Sequence, residues 1–426
     1  MGGAAGHMRH PYDLQNVQSG ADLIGIFEDL KSYAMTSAQD INVKIDGINV
    51  SFKLVDGEFA VDRGSNKPID VMGVTLSRVT ERFGPGHGMI PAITNLLTIL
   101  NNALPDISEE INALGLTTNE HFFLNTEYVL GTTNATTYNN NFIAIHGVNA
   151  FYAKYKKVTK KMLMVDPSAK PILIRPGLPS SGKNSVEVNY NQSAMSSLIA
   201  KLKIYASKLG FDVYGPIPTA AKQDTVIDYS GALNTPFEVN ISDDYSDEYG
   251  QFEHLQGRPI KDWLSEITQK PANYNGKTYD TAYRTTDGKK INPYHKITYL
   301  RILSRKEPVD SFIVADDAGD DVRQVIDGSV ILHATRLLGN AFLKGLTSDV
   351  GDMISDDASH EGVVIRDPQF SKYPFKITGE FIVAGMYGVI SQKIAKPVVK
   401  ETSIRKMVRE SITRTMLTML PRHDRQ

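Results

Sequence analysis

The chain of 426 residues contains no cysteine, so disulfide bonds and thiolate metal ligands are excluded. This absence favours a reducing compartment, and we expect a cytoplasmic protein. No apolar run approaches the ~20 residues that a membrane-spanning helix needs, so no membrane partner is expected. The chain also lacks an excess of charge of either sign. Because the formal net charge is only −2, a polyanion would have to be held by a local basic patch.

Hydrophobic periodicity divides the first part of the chain into helices and strands. An amphipathic helix is predicted over 21–34 and another helix over 90–104. Short strands are predicted within 41–62 around the turn "VDGE" at 55–58, and further strands over 120–131 and 142–148, separated by a polar loop at 132–141. This alternation predicts an α+β fold with antiparallel strands.

The part from about 151 to 355 has long polar loops, with helices predicted at 193–209 and about 319–345. Strands return at 361–368 and 375–385, and a basic amphipathic helix pattern lies near 400–420. Within this part, "GLPSSGKN" (177–184) lacks the hydroxyl residue after the lysine of a phosphate-binding loop, and we interpret it as a surface loop. The acidic stretches at 242–250 and 315–321 lack calcium-loop spacing and are interpreted as solvated turns.

Two basic stretches are candidates for contact with a nucleic-acid backbone, with an ordinary solvated surface as the equal alternative. The first is "KYKKVTKK" at 154–161. The second lies in the tail and comprises Lys400, Arg405, Lys406, Arg409 and Arg414.

The stretch "INVKIDGINVSF" (41–52) places a lysine in a half-buried strand pattern. Ile41, Val43 and Ile45 alternate with polar residues, and Gly47 reverses the phase of the alternation. A glycine at such a reversal indicates a bulge or tight turn between two strands. Lys44 and Asp46 are therefore predicted to project together beside that bend.

Three other ionisable residues lie in apolar strand patterns. Glu361 precedes the buried-strand pattern "GVVI", which ends at Arg366, and Lys376 lies in the next predicted strand. Glu127 lies inside "HFFLNTEYVLG", where a carboxylate is costly unless it is paired or binds a metal. Two lysines and two glutamates in four apolar strands indicate a shared site rather than four solvated positions.

The order of these motifs resembles that of the covalent nucleotidyltransferases, which comprise ATP-dependent DNA ligases, RNA ligases and mRNA capping enzymes. "KIDG" resembles the nucleotide-accepting motif, and "NTEYV" resembles the middle carboxylate motif. "FIAIHGV" stands where the purine-binding strand is expected, "EGVVIRD" is similar to the fourth motif, and "FKIT" partly matches the last. The resemblance covers about 41–148 and 356–385, and it is closest to phage-type RNA ligases.

This resemblance implies that the Lys44 amine attacks the α-phosphate of ATP, forming lysyl-AMP and releasing pyrophosphate. Glu361 would hold Mg²⁺ or Mn²⁺ near the α-phosphate. Glu127 would bind the ribose hydroxyls or a water on a second metal ion. Lys376 would contact the α-phosphate and stabilise its charge. Lowering of the Lys44 pKa by burial and by nearby cations would supply the neutral amine.

The remaining nucleotide-binding candidates follow from the same resemblance. Asp46, Gly47 and Asn49 complete the motif around Lys44. Arg63, in "VDRGS", would reach the ribose or the terminal phosphates. Phe142 is the candidate for stacking on the base, since Ile145 and His146 replace the usual aromatic and acidic pair.

Two features favour RNA over DNA as the substrate. Asparagine at position 49 is similar to one branch of phage-type RNA ligases, whereas DNA ligases usually carry arginine there. Only residues 377–426 follow Lys376, fewer than an oligonucleotide-binding barrel needs. The alternatives are an ATP-dependent DNA ligase, a GTP-using capping-type enzyme, and a non-catalytic nucleic-acid-binding module.

The expected architecture is a two-sheet antiparallel nucleotidyltransferase domain with a large insert and a small helical C-terminal segment. Residues 1–8 are interpreted as the remnant of an expression tag. The two parts of the adenylation domain are predicted at 9–150 and 356–390. The insert spans 151–355 and the helical segment 391–426. By analogy, we expect the chain to be encoded by a phage and to act in the host cytoplasm.

Overall fold

The computed structural model describes residues 8–36, 40–64, 67–130, 138–174, 185–222, 225–241, 253–269, 311–314, 322–348 and 361–379. Several predictions lie outside these residues. They are most of the polar loop at 132–141, the loop "GLPSSGKN", the acidic stretches at 242–250 and 315–321, the end of the strand at 375–385, and the basic tail with its predicted helix. The chain divides into two units, Met1–Gly379 and Glu380–Gln426, and all described residues belong to the first.

The described residues form fifteen strands and ten α-helices. The strands are β1 Ile41–Lys44, β2 Ile48–Val55, β3 Glu58–Asp62, β4 Phe122–Val129, β5 Phe142–Phe151, β6 Lys154–Lys156, β7 Ile172–Ile174, β8 Ser185–Glu187, β9 Asp212–Tyr214, β10 Thr219–Ala221, β11 Glu238–Ile241, β12 Ser311–Val314, β13 Leu346–Ser348, β14 Gly362–Ile365 and β15 Phe375–Ile377. The helices are α1 Gly20–Thr36, α2 Pro68–Met72, α3 Val79–Phe83, α4 Met89–Ala103, α5 Ser108–Ala113, α6 Lys160–Val165, α7 Gln192–Ser207, α8 Ser230–Leu233, α9 Ile260–Ser265 and α10 Val322–Lys344. Short 3₁₀ turns lie at Pro11–Asp13, Leu76–Arg78 and Glu253–Leu255.

The strands form two larger sheets and three two-stranded ones. A three-stranded antiparallel sheet has the order β1-β14-β15. A six-stranded sheet has the order β3-β2-β4-β5-β8, and β9 adds to it in parallel beside β5. The pairs β10-β13, β11-β12 and β6-β7 complete the described sheets. The coarse prediction of an α+β fold with antiparallel strands is therefore confirmed.

Each larger sheet has an apolar face that packs on helices. In the three-stranded sheet, Ile41, Val363 and Phe375 join a core with residues of α1 and α10. In the six-stranded sheet, Val50 and Leu124 join a second core with residues of α4 and α7. Burying these faces fixes the register of each strand, because a shift by one residue would turn the apolar side chains away from the helices.

Part of the predicted insert belongs to the six-stranded sheet and its core. Strands β8 and β9 both pair with β5, and α7 contributes Leu198 and Leu202 to the second core. Helix α10 contributes Leu338 and Phe342 to the first core. These parts of 151–355 thus complete the layers that residues 41–148 begin.

None of the helices among the described residues combines the length and the apolar character required to cross a bilayer.

The β2–β3 turn and helix α1 each contain a glycine with open space around it, which allows a matched test. Gly57 has φ +84°, and an added Cβ would meet nothing within 4 Å. Because an L side chain is strained at this φ, we expect Gly57→Ala to lower the free energy of unfolding by about 1 kcal/mol. The helical Gly25 also has nothing within 4 Å, and we expect Gly25→Ala to raise it by about 0.5–1 kcal/mol. Urea denaturation measures both, and an unchanged or higher free energy of unfolding for Gly57→Ala would contradict the turn geometry.

Candidate active site

Lys44 and Glu361 meet because β1 and β14 pair, although 317 residues separate them in sequence. The antiparallel register sets Lys44 opposite Gly362, directly after Glu361. Lys44 Nζ donates to Glu361 Oε2 in an ion pair whose side chains are only 17% and 15% exposed. A partly buried ion pair at the end of two paired strands is thus the centre of the site.

Lys376 lies on the same face of this sheet. Strand β15 pairs with β14 so that Lys376 stands opposite Val364, which in turn stands opposite Asn42. Directly opposed residues share a face, and residues two apart on a strand share it too. Asn42, Lys44 and Lys376 therefore lie on the face away from the helix-packed core.

Two glycines permit the close approach of strands at this site. A Cβ on Gly362, which has φ +147°, would lie 2.0 Å from the carbonyl oxygen of Ile377. A Cβ on Gly47 would lie 2.9 Å from the carbonyl oxygen of Tyr128. The glycines of "KIDG" and "EGVV" are therefore required where neighbouring backbone passes Lys44 and Glu361.

Glu127 approaches the pair from the six-stranded sheet. It lies on β4, opposite Asn49 of β2 and Ala144 of β5. Its charge acts on Lys44 and Lys376, so the two sheets contribute to one electrostatic cluster. Of the predicted site residues, Lys44, Glu127, Glu361 and Lys376 are brought together.

The two lysines respond differently to this environment. Burial favours the neutral amine of Lys44, but the carboxylates of Glu361, Glu127 and Asp46 together raise its pKa above the ordinary value. The expected lowering of the Lys44 pKa therefore does not hold for the protein without bound cations. Burial, followed by the charge of Lys44, lowers the pKa of Lys376 to about 8.

Burial raises the pKa of Glu127 to about 7, against the attraction of Lys44 and with the help of Glu361 and Asp46. The carboxyl group is thus close to half protonated at neutral pH. It can change its charge when a cation or a phosphate enters the site, which an ordinary surface glutamate cannot do.

One face of the six-stranded sheet carries four buried polar atoms that find no hydrogen-bond partner in the described structure. They are Asn49 Oδ1, Ser51 Oγ, Glu127 Oε2 and Asn149 Oδ1. The strand registers set all four on the face opposite the helix-packed core. Because unpartnered buried polar groups are costly, these four atoms need water or a polar ligand to satisfy them.

Arg63 and Asp46 border this face. Arg63, directly after β3, donates through Nη1 to the carbonyl oxygen of Asn49. Burial, with the nearby charge of Arg82, lowers the Arg63 pKa. The backbone amide of Asp46 donates to the hydroxyl of Tyr138 at 2.8 Å, which fixes the bend after Lys44.

Phe142 is not available to stack on a base in this structure. Its side chain is 0% exposed and packs in a small core with Val43 and Ile217. The rings of Tyr138 and Tyr214 meet it edge-on at centroid distances of 5.1 and 5.4 Å. The geometry therefore corrects the base-stacking interpretation of Phe142, whose ring joins β1 to β5 instead.

Two further residues enter the site without having been singled out as ligands. Arg366 donates to Asn42 Oδ1 at 2.7 Å and to Glu187 Oε1 at 3.2 Å, which links β14 to β1 and to β8. Burial, with the charges of Arg366 and Lys44, lowers the pKa of His146 to about 3 and keeps the imidazole neutral. The irregular register of β4 and β5 beside His146 was not visible in the sequence.

The donor set fits a magnesium ion shared with a phosphate ligand. Mg²⁺ is usually held by one or two carboxylates together with substrate oxygens and water. Glu361 and Glu127 supply such carboxylates, and Glu127 Oε2 is buried and unpartnered. No group of three or more metal-ligating side chains was found in the part of the chain that the structure describes.

Comparison of the chain with protein-family models, curated proteins and solved structures gave no match.

The raised pKa of Glu127 predicts a pH-dependent stability. The folded-state pKa of about 7 lies above the ordinary glutamate value of 4.5, so the stability from this group is present below about pH 4.5 and lost as pH rises through 7. As pH rises from 4.5 to 8, we expect the free energy of unfolding of Glu127→Gln to increase by on the order of 3 kcal/mol relative to that of the parent protein.

Urea denaturation across this pH range measures the gain. The control is Glu120→Gln, since the Glu120 side chain is 87% exposed. Its stability should run parallel to that of the parent protein. If the free energy of unfolding of Glu127→Gln also changed with pH in the same way as that of the parent protein, the burial of the Glu127 carboxyl group would be contradicted.

Proposed function

We propose that the protein is an ATP-dependent polynucleotide ligase that works through lysyl-AMP at Lys44 and joins 5′-phosphate to 3′-hydroxyl ends, with RNA as its preferred substrate. The proposed fold is the two-sheet nucleotidyltransferase domain. The observation that carries the proposal is the pairing order β1-β14-β15, which puts Lys44 and Lys376 on one sheet face and brings Glu361, directly before β14, into an ion pair with Lys44.

In the first step the Lys44 amine attacks the α-phosphorus of ATP. A nitrogen–phosphorus bond forms, the bond from the α-phosphorus to the bridging oxygen breaks, and pyrophosphate leaves with that electron pair. The amine must be neutral to attack, so its proton has to leave before or during this step. The AMP then passes to a 5′-phosphate, and a 3′-hydroxyl displaces it to form the phosphodiester.

The Lys44–Glu361 ion pair holds the amine in its charged, unreactive form. Anything that neutralises Glu361 removes the strongest electrostatic stabilisation of the Lys44 ammonium group, and burial then favours the neutral amine. A bound Mg²⁺ or Mn²⁺ would supply this neutralisation and would polarise the phosphate. Glu361, supported by Glu127, is the residue that would hold it.

Lys376 supports the proposal through its charge. With a pKa of about 8 it is mostly protonated at neutral pH, and an entering phosphate would raise that pKa further. A buried cation on the face that carries Lys44 can stabilise the charge that develops on the α-phosphate. Asn49, with its unpartnered buried Oδ1, offers an acceptor beside Glu127 for a sugar hydroxyl.

The test is covalent labelling with α-labelled ATP and Mg²⁺, followed by denaturing electrophoresis. We expect label on the parent protein and none on Lys44→Arg, which keeps the charge opposite Glu361 but lacks an attacking amine. Lys376→Ala should slow labelling by about 100-fold. The control Lys156→Ala, at an exposed lysine of β6, should label like the parent protein.

Full labelling of Lys44→Arg would refute the mechanism. Labelling with GTP in place of ATP would identify a capping-type enzyme, and no labelling with either nucleotide would leave a binding module.

A strand panel tests the substrate. Once labelled, the protein should transfer AMP to a 5′-phosphorylated RNA strand and seal it to a 3′-hydroxyl end. We expect sealing of DNA ends to be at least about tenfold slower, which gel electrophoresis of the products measures. Faster sealing of nicked duplex DNA would contradict the RNA preference and favour the DNA ligase alternative.

A further inference from the structure

A strongly basic surface lies directly after β5. It comprises residues 152–174, which include β6, α6 and β7, and is called the basic surface here. Six lysines and a single acidic residue, Asp166, fall in this stretch, although the whole chain has a net charge of −2. Lys154, Lys156, Lys157 and Lys160 are exposed. Such a local excess can hold a polyanion that the overall charge would not attract.

Two exposed tyrosines stand among these lysines. Tyr152 is 50% exposed and Tyr155 is 67% exposed. Tyrosine rings usually bury much of their apolar surface. An exposed ring between cations can stack on an unpaired base while the lysines contact the phosphates.

The strand pair at the centre of the surface is small, and β7 contacts helix α2. Strands β6 and β7 form a two-stranded sheet, and all three residues of β6 are exposed. The exposed side of β6 is therefore open to a ligand.

Strand β5 connects this surface to the candidate active site. The charge of Lys44 acts on His146 of β5, and Tyr152 follows six residues later, about 20 Å away at the rise of an extended strand. Between them, Asn149 has an unpartnered buried Oδ1, and Phe151 stacks on Phe123 at 4.1 Å. The face that carries Glu127 thus continues as polar and aromatic groups towards the lysines.

From these features we infer that the basic surface binds an unpaired RNA strand and guides its end along β5 to Lys44. The route to Lys44 depends on the proposed function, whereas binding to the surface can be measured without any ligation. An anionic membrane is the less fitting partner. The two exposed tyrosines among the lysines favour a partner with unpaired bases, whereas the exposed side chains of Leu163, Met164 and Val165 are the feature that a membrane would use, and the vesicle measurement below distinguishes the two.

The first test measures binding of fluorescein-labelled oligouridylate with hydroxyl groups at both ends, which no ligase can join, by anisotropy at several salt concentrations. The variant replaces Lys154, Lys156 and Lys157 by glutamine. We expect weaker binding and a salt slope that is smaller by about 2, because each lysine–phosphate contact on a single strand contributes about 0.7. The matched control replaces Lys203, Lys208 and Lys222, three exposed lysines elsewhere, and should bind like the parent protein.

The second test separates stacking from charge. Tyr155→Ala should weaken binding at least about fivefold, and Tyr155→Phe should retain it, since stacking requires the ring and not the hydroxyl. Unchanged binding and salt slope in the lysine variant would overturn the inference. Binding to phosphatidylserine vesicles without binding to the RNA would overturn it as well.

The outcomes also keep this inference separate from the proposed ligase activity. Covalent labelling by ATP should be unchanged in the lysine variant. If the parent protein binds RNA through this surface but never labels at Lys44, the proposed function fails and the surface remains. If it labels at Lys44 but the lysine variant binds RNA normally, the surface fails and the function remains.

Discussion

The candidate site depends on the antiparallel pairing of β1 with β14. This pairing sets Lys44 against Glu361 across 317 residues of sequence and buries their ion pair. The backbone can approach so closely because Gly362 has no Cβ to meet the Ile377 carbonyl. The apolar side of the same sheet packs on α1 and α10, so the position of the lysine is determined by the core rather than by a loop.

The charges around Lys44 favour its protonated form. Three carboxylates oppose the effect of burial and keep the amine charged, while Glu127 and Lys376 both have pKa values moved towards neutrality. A cluster of this kind is sensitive to an entering cation or phosphate, because each charge change shifts the protonation of its neighbours. The unpartnered polar atoms on the six-stranded sheet would also respond to a ligand, since a ligand can satisfy their hydrogen bonds.

Local patterns predicted much of this arrangement and missed its long-range part. Alternation around Lys44 predicted β1, β2 and the bend at Gly47, and the cost of a carboxylate in an apolar strand drew attention to Glu127. Alternation does not specify which strands pair, so the addition of β8 and β9 to the six-stranded sheet could not be foreseen from segments of three residues. The interpretation of Phe142 as a base-stacking residue was wrong because the sheet face that carries it changes character along β5. Near β1 this face is apolar and buries the ring, whereas near Glu127 it is polar. Single residues such as Ser51 and Asn149 carry no signal in sequence, since only the assembled sheet leaves them without partners.

The proposed chemistry requires one particular amine, that of Lys44 beside Glu361, to become the nucleophile. Peptide mapping by mass spectrometry after incubation with ATP and Mg²⁺ tests it most directly, because the method locates the modified side chain among all lysines of the chain. We expect a single AMP adduct on the peptide that contains Lys44. An adduct on another lysine, or none on a folded protein, would contradict it.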